Sequence, residues 1–145
     1  MPAACSVLEP SQEVTARQVR YSRIVRGVRS YRDLLVWQKG MDLAAAVYRL
    51  TRRWSKEEAF GLVAQARRAA VSIPANVAEG YGRQSSASYI HFLKIARGSL
   101  KELETHLLLA ERVQVAPCGS CNEALALADE LGKMLGGLIS SLRKP

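Results

Sequence analysis

Between Asp33 and Arg143 the apolar residues return at intervals of three and four, in four separate runs, with no sustained alternation of polar and apolar residues. Spacings of three and four place side chains on one side of an α-helix, whereas a half-buried strand needs a period of two. The chain is therefore confined to the all-α class. Ala, Leu, Glu, Lys and Arg, which lose little on entering a helix, are abundant, and only 6% of residues are aromatic. With 145 residues, 48% of them hydrophobic, the chain has the size and apolar content of one domain with a real core.

Asp33 is placed to cap a first helix that runs to about Arg53, with Trp37, Met41, Ala44, Tyr48 and Thr51 as its inner face and Val36, Gly40, Val47 and Leu50 as flanks. Ser55 stands three residues before Glu58, the spacing of a reciprocal capping box, which predicts the start of a second helix there. Its stripe is Leu62, Ala66, Ala69, Ala70, Ile73 and Val77, with Pro74 inside and Gly80 and Gly82 near the end. Pro74 lacks an N–H and crowds the carbonyl of Ala70, so a kink is expected, with Ser72 or Asn76 partnering nearby backbone; a complete break is the other solution. Ser85 or Ser86 caps a third helix to about Val113, roughly 42 Å long, burying Phe92, Ala96, Leu100, Leu103, Leu107 and Ala110. After a loop with Pro117 and Gly119, a fourth helix from Asn122 to about Arg143 buries Leu125, Ala128, Leu131, Met134, Leu135, Leu138 and Leu142. Four amphipathic helices on short connections predict an antiparallel up-down-up-down four-helix bundle over residues 33–145.

Residues 1–32 differ. No helical apolar face is sustained there, Pro2 and Pro10 interrupt the start, and Gly27 and Ser30 the end, so the stretch reads as a flexible basic arm. Arg17, Arg20, Arg23, Arg26, Arg29 and Arg32 recur at every third position, which a three-residue-per-turn conformation would gather on one edge and an α-helix would not. Against them stand Glu9 and Glu13, leaving the arm half of the chain's formal charge of +8.

That charge attracts polyanions, nucleic acid first among them, although a basic surface also serves solubility alone. No stretch approaches the ~18 apolar residues of a membrane span, and the first thirty residues lack a secretory apolar core, so a cytoplasmic protein with no membrane role is expected. Three cysteines, Cys5, Cys118 and Cys121, are too few and too unevenly placed for a disulfide framework.

Chemistry-bearing groups are sparse. His91 and His106 lie about four turns apart on one helix, roughly 22 Å, too far to share an ion. Glu102 and Glu104 point to different faces. Cys118 and Cys121 have redox or zinc spacing but supply two of the four ligands a structural zinc needs, and no strand precedes them. No catalytic residues, metal ligands or cofactor are expected, and no enzyme activity. A polar stripe on the second helix, Gln65, Arg68, Ser72, Asn76 and Glu79, has a counterpart in Ser99, Glu102 and His106 on the third; the two form a hydrogen-bonded seam or face another subunit. Gly98 and Ser99, beside Ala66, Ala69 and Ala70, allow close helix approach within the bundle or between bundles. Lys94, Arg97 and Lys101 form a ridge at spacings of three and four, and Arg52, Arg53, Arg67 and Arg83 add basic groups. These seven are the candidate phosphate contacts, with a solvated helix face as the competing reading. Aromatic stacking partners are few, which favours recognition of shape and charge over single-strand readout.

Three segments carry a more specific signal: LLVWQK at 34–39, QARRAAVSIPANVAEG at 65–80 and FLKIARGSLKELE at 92–104. They resemble the bacterial family encoded in intervening sequences of large-subunit ribosomal RNA genes, over about Tyr31 to Leu142. The resemblance implies an antiparallel bundle assembling into a ring, commonly a pentamer. It also implies kinship with accessory variability proteins of diversity-generating retroelements, which bind nucleic acid and a reverse transcriptase, and no enzyme activity. The arginine arm lies outside it.

Overall fold

A computed structural model describes Val19 and residues 21–144. Among these residues there are helices and turns and no strand. The long helices are α1 (Leu35–Thr51), α2 (Leu62–Gly82), α3 (Ser86–Arg112) and α4 (Asn122–Arg143), with 3-10 turns at Tyr31–Asp33 and Lys56–Glu58. Each helix packs on its neighbours in the chain, α1 also packs on α4, and the α2–α3 contact is the most extensive. Leu43, Ile73, Tyr89, Leu93, Leu100, Leu103, Leu107, Leu131, Leu135 and Leu142 are fully buried between them. Each such aliphatic side chain contributes roughly 1.5–3 kcal/mol of transfer free energy.

The helix starts differ from the sequence expectation because each acid caps one element away. The Asp33 carboxylate accepts from the backbone N–H groups of Arg29 and Ser30 (3.0 and 3.1 Å), closing a capping box with Ser30 around the 3-10 turn. α1 then starts without a side-chain cap. Ser55 accepts from the Glu57 N–H, but Glu58 turns forward and takes the Leu62 N–H (3.1 Å), so the second helix starts at Leu62 rather than at Ser55. A carboxylate at that position satisfies one free donor and faces the positive end of the helix dipole. Ser85 caps α3 as anticipated, accepting from the Ser88 N–H.

α1 is rotated relative to the expected inner face. Its buried residues are Val36, Gly40, Leu43, Ala44, Ala46, Val47 and Thr51, while Met41 and Tyr48 are 45% and 39% exposed. Gly40 explains the register: a Cβ there would sit 3.3 Å from the Pro74 Cβ, so the proline ring of α2 fills the space that a side chain would need. α2 runs through Pro74 without a break, and Asn76 Nδ2 donates to the Ser72 carbonyl (2.7 Å). Smaller shifts occur elsewhere. α3 buries Leu93 and Tyr89 where Phe92 was expected, and α4 buries Ala124 and Ile139 in preference to Leu125, Met134 and Leu138, which are half-buried.

Part of the expected arm belongs to the packed structure. Tyr21 is 7% exposed, and Ile24, Val25, Val28 and Tyr31 pack against the core, so the boundary expected after residue 32 does not mark a change in packing. Residues 21–24 are helical and Gly27 turns the chain at φ +85°, so the described arginines do not follow a three-residue-per-turn edge. Arg17 and Arg20 lie outside the described residues, as does the rest of 1–18.

Candidate nucleic-acid interface

Four of the seven predicted basic residues, Arg52, Arg53, Lys94 and Arg97, are exposed and have no acidic partner among the described residues. The other three are engaged within the chain. Arg67 Nε donates to Thr51 Oγ1 (2.9 Å) and its guanidinium lies 4.5 Å from the Tyr48 ring centroid, which pins α2 to α1. Arg83 pairs with Glu79 (2.8 Å) and covers the Phe92 ring. Lys101 pairs with Glu104 (2.9 Å). Exposed ion pairs of this kind hold their partners weakly, so Lys101 and Arg83 can exchange a carboxylate for a phosphate.

The free cations do not form one patch. Arg53, with Arg49, lines a cleft of about 200 Å³ whose other wall is Ser120, Glu123 and Ala124 at the start of α4. Glu111, near the end of α3, accepts from the Cys121 N–H (2.9 Å) and ties α3's end to that same region. Lys94 therefore stands roughly 27 Å along α3 from the arginines that close α1. Arg49 was not singled out in the sequence; it lies one turn before Arg53, and that spacing is the signal that marks it.

The polar seam forms in part. Ser72 and Ser99 hydroxyls share a 2.8 Å hydrogen bond between α2 and α3, and Asn76 Nδ2 reaches Ser72 Oγ at 3.0 Å. Gln65 is half-buried, while Arg68, Glu79 and Glu102 are exposed, with Glu102 3.4 Å from His106. A Cβ on Gly98 would meet nothing within 4 Å, so the close approach expected there does not occur within the chain. It occurs instead at Gly80, where a Cβ would come within 2.7 Å of the Phe92 Cβ and 3.2 Å of the Tyr89 ring.

Cys118 and Cys121 are free, the first exposed and the second buried, and burial pushes the Cys121 thiol up to about 11, the reverse of thiolate activation. Backbone N–H groups of Cys121 and Gly119 hold the Glu111 carboxyl below its ordinary range. Among the described residues no group of three His, Cys, Asp or Glu could hold a metal ion, and no helix is long and apolar enough to cross a membrane.

A feature that the sequence reading missed is a cluster of three tyrosines. Tyr21 donates to the Tyr81 carbonyl, Tyr81 donates to the Val28 carbonyl (both 3.3 Å), and both rings meet Tyr89 edge to face. Burial raises the pKa of Tyr21 and, further, of Tyr89. The spacing of Tyr21, Ile24, Val25 and Val28 is the helical i, i+3, i+4, i+7 pattern, present in the sequence but only two turns long.

Fold and surface together define an all-helical protein whose described face offers unpaired cations. The chain belongs to a family described as 23S rRNA-intervening sequence protein, whose profile matches residues 32–137. Among solved structures it is similar to a protein of unknown function from the S23 ribosomal protein family of Bacteroides thetaiotaomicron. That structure is 26% identical, with a TM-score of 0.65, over 72% of this chain and 98% of the other. No curated protein matches the sequence. Residues 21–31 precede the family match.

Proposed function

We propose that this protein is a non-enzymatic, homo-oligomeric accessory protein that binds structured RNA or DNA through its basic surface. The observation that carries the reading is the set of exposed cations with no acidic partner among the described residues, Arg52, Arg53, Lys94 and Arg97, on a chain of formal charge +8. The subunit is an antiparallel up-down-up-down four-helix bundle with α2 bent at Pro74, and subunits close into a ring, a pentamer as the resemblance implies. Apolar side chains left at the surface of separate helices support assembly: Met41 and Tyr48 on α1, Val71 on α2 and Ile95 on α3. A ring repeats each weak phosphate contact and raises avidity without a new one.

Binding of a structured RNA and a DNA duplex, measured at about 50 and 200 mM salt, tests the reading, because phosphate neutralisation gives a steep negative salt dependence. Replacing Lys94 and Arg97 with Gln should weaken both equally. No binding at the lower salt, or binding indifferent to salt, contradicts it. A second reading, a protein-interaction scaffold, is favoured by Leu108, Leu109 and Val113, exposed side by side near the end of α3. A protein that co-purifies after nuclease treatment would support that reading, and a reverse transcriptase is the first partner to try.

A further inference from the structure

We infer that residues 21–32 form a second, preorganised phosphate-binding surface, built from residues outside the α3 ridge, in which a tyrosine-anchored strap holds Arg23, Arg26, Arg29 and Arg32 against a nucleic-acid backbone. This rests on the nucleic-acid reading above and adds a site to it.

The charge is concentrated here. These twelve residues hold four arginines and no acid, a surplus of four within a chain total of +8. All four are exposed, and none has an acidic partner among the described residues. Of the four side chains only that of Arg32 has a described partner, the Tyr31 ring at 5.7 Å. An unpaired guanidinium offers a planar fork of donors that matches two phosphate oxygens at once, so arginine suits this ligand better than lysine.

The backbone beneath them is fixed. Tyr21 reaches across to the Tyr81 carbonyl, and Tyr81 returns a hydrogen bond to Val28, so strap and α2 are clasped in both directions. At the other end, Asp33 accepts from the N–H groups of Arg29 and Ser30. Between the clasps Val28 bonds back to Val25 (2.9 Å) around Gly27. Arginines on a fixed backbone lose less conformational freedom on binding than the same residues on a mobile tail.

The surface also discriminates among anionic partners. The apolar residues Ile24, Val25 and Val28 are turned to the core, leaving Ser22, Gly27 and the arginines outward. A protein partner or a membrane would want exposed apolar or aromatic anchors, and residues 21–32 present none. A phosphate backbone needs only the charges.

Two variants of the full chain test the site, with a short RNA duplex as probe. Replacing all four arginines with Gln changes only exposed side chains and should lower affinity on the order of a hundredfold at low salt. It should also flatten the plot of log K against log salt by about 0.9 for each phosphate that the variant no longer neutralises. Tyr21→Ala keeps every charge and frees the strap; it should weaken binding about tenfold with the salt slope nearly unchanged. Unchanged affinity and slope in the four-Gln variant, with binding weakened in the Lys94 and Arg97 variant, overturns the strap and leaves the general reading standing. Tyr21→Ala binding as tightly as the parent overturns the preorganisation. Binding that moves from the duplex to anionic phospholipid vesicles overturns the choice of partner. No duplex binding by the parent chain overturns both readings.

Discussion

Gly80 and Gly98 are both helical glycines, yet their surroundings give opposite expectations. At Gly80 an added methyl meets Phe92 Cβ and the Tyr89 ring, two side chains held by the core and by the tyrosine cluster. Gly80→Ala should therefore cost about 1–3 kcal/mol, read as a lower denaturant midpoint. At Gly98 the space is open, and Gly98→Ala should raise stability by about 0.5–1 kcal/mol through the helix propensity gained. If both changes move the midpoint in the same direction, the α2–α3 approach is placed wrongly. The sequence signalled that a close approach exists on these two helices, but small residues mark it only as a class. Which glycine makes it depends on the crossing point of α2 and α3, which lies where Gly80 meets Phe92 and Tyr89.

The four helices were legible as elements because each carries a long apolar stripe, and α4 starts and ends at the residues anticipated. Their faces were less legible. On α1 the residues Trp37, Met41, Ala44 and Tyr48 make as regular a stripe as Val36, Gly40, Leu43 and Val47, and only the position of α2 selects between them. Leu43→Ala should cost about 2–5 kcal/mol and Met41→Ala almost nothing; equal losses would restore the face expected from the sequence. The anchor of α4's start was hidden for another reason, since Glu111 lies across a loop with positive φ at Gln114 and Gly119. The Glu111 carboxyl is held below its ordinary value of 4.5 by backbone donors, so its stabilising contribution is complete above that value and disappears as pH falls through the lowered one. In acid titrations followed by circular dichroism, Glu111→Gln should be less stable than the parent at neutral pH and converge with it at low pH. A gap that persists in strong acid would show that the charge plays no part. The candidate basic ridge was visible in the sequence, while its partners were not: Glu104 and Glu79 occupy Lys101 and Arg83 from one turn away, and Thr51 holds Arg67 across two helices.

At the scale of the whole molecule, the surface residues that the fold leaves uncovered set what the proposed assembly can use. A Cβ at Gly98 meets nothing within the chain, so Gly98→Leu starts its side chain into open space. Light scattering that shows this variant as folded, helical monomers while the parent is oligomeric would place Gly98 at the subunit contact; an intact oligomer would place the contact elsewhere. The strap at residues 21–32 escaped the sequence reading because its apolar repeat covers only two turns, and a short repeat becomes stable only when a preformed surface receives it. Its arginines, together with the cations just after α1 and on α3 that have no acidic partner among the described residues, make phosphate recognition the central claim. The measurement closest to that claim is the salt dependence of binding by the parent chain to a structured RNA. Affinity should fall by on the order of 10³-fold between about 50 and 200 mM salt, as neutralisation of six or more phosphates requires. Binding that is absent, or a slope near zero, would contradict it.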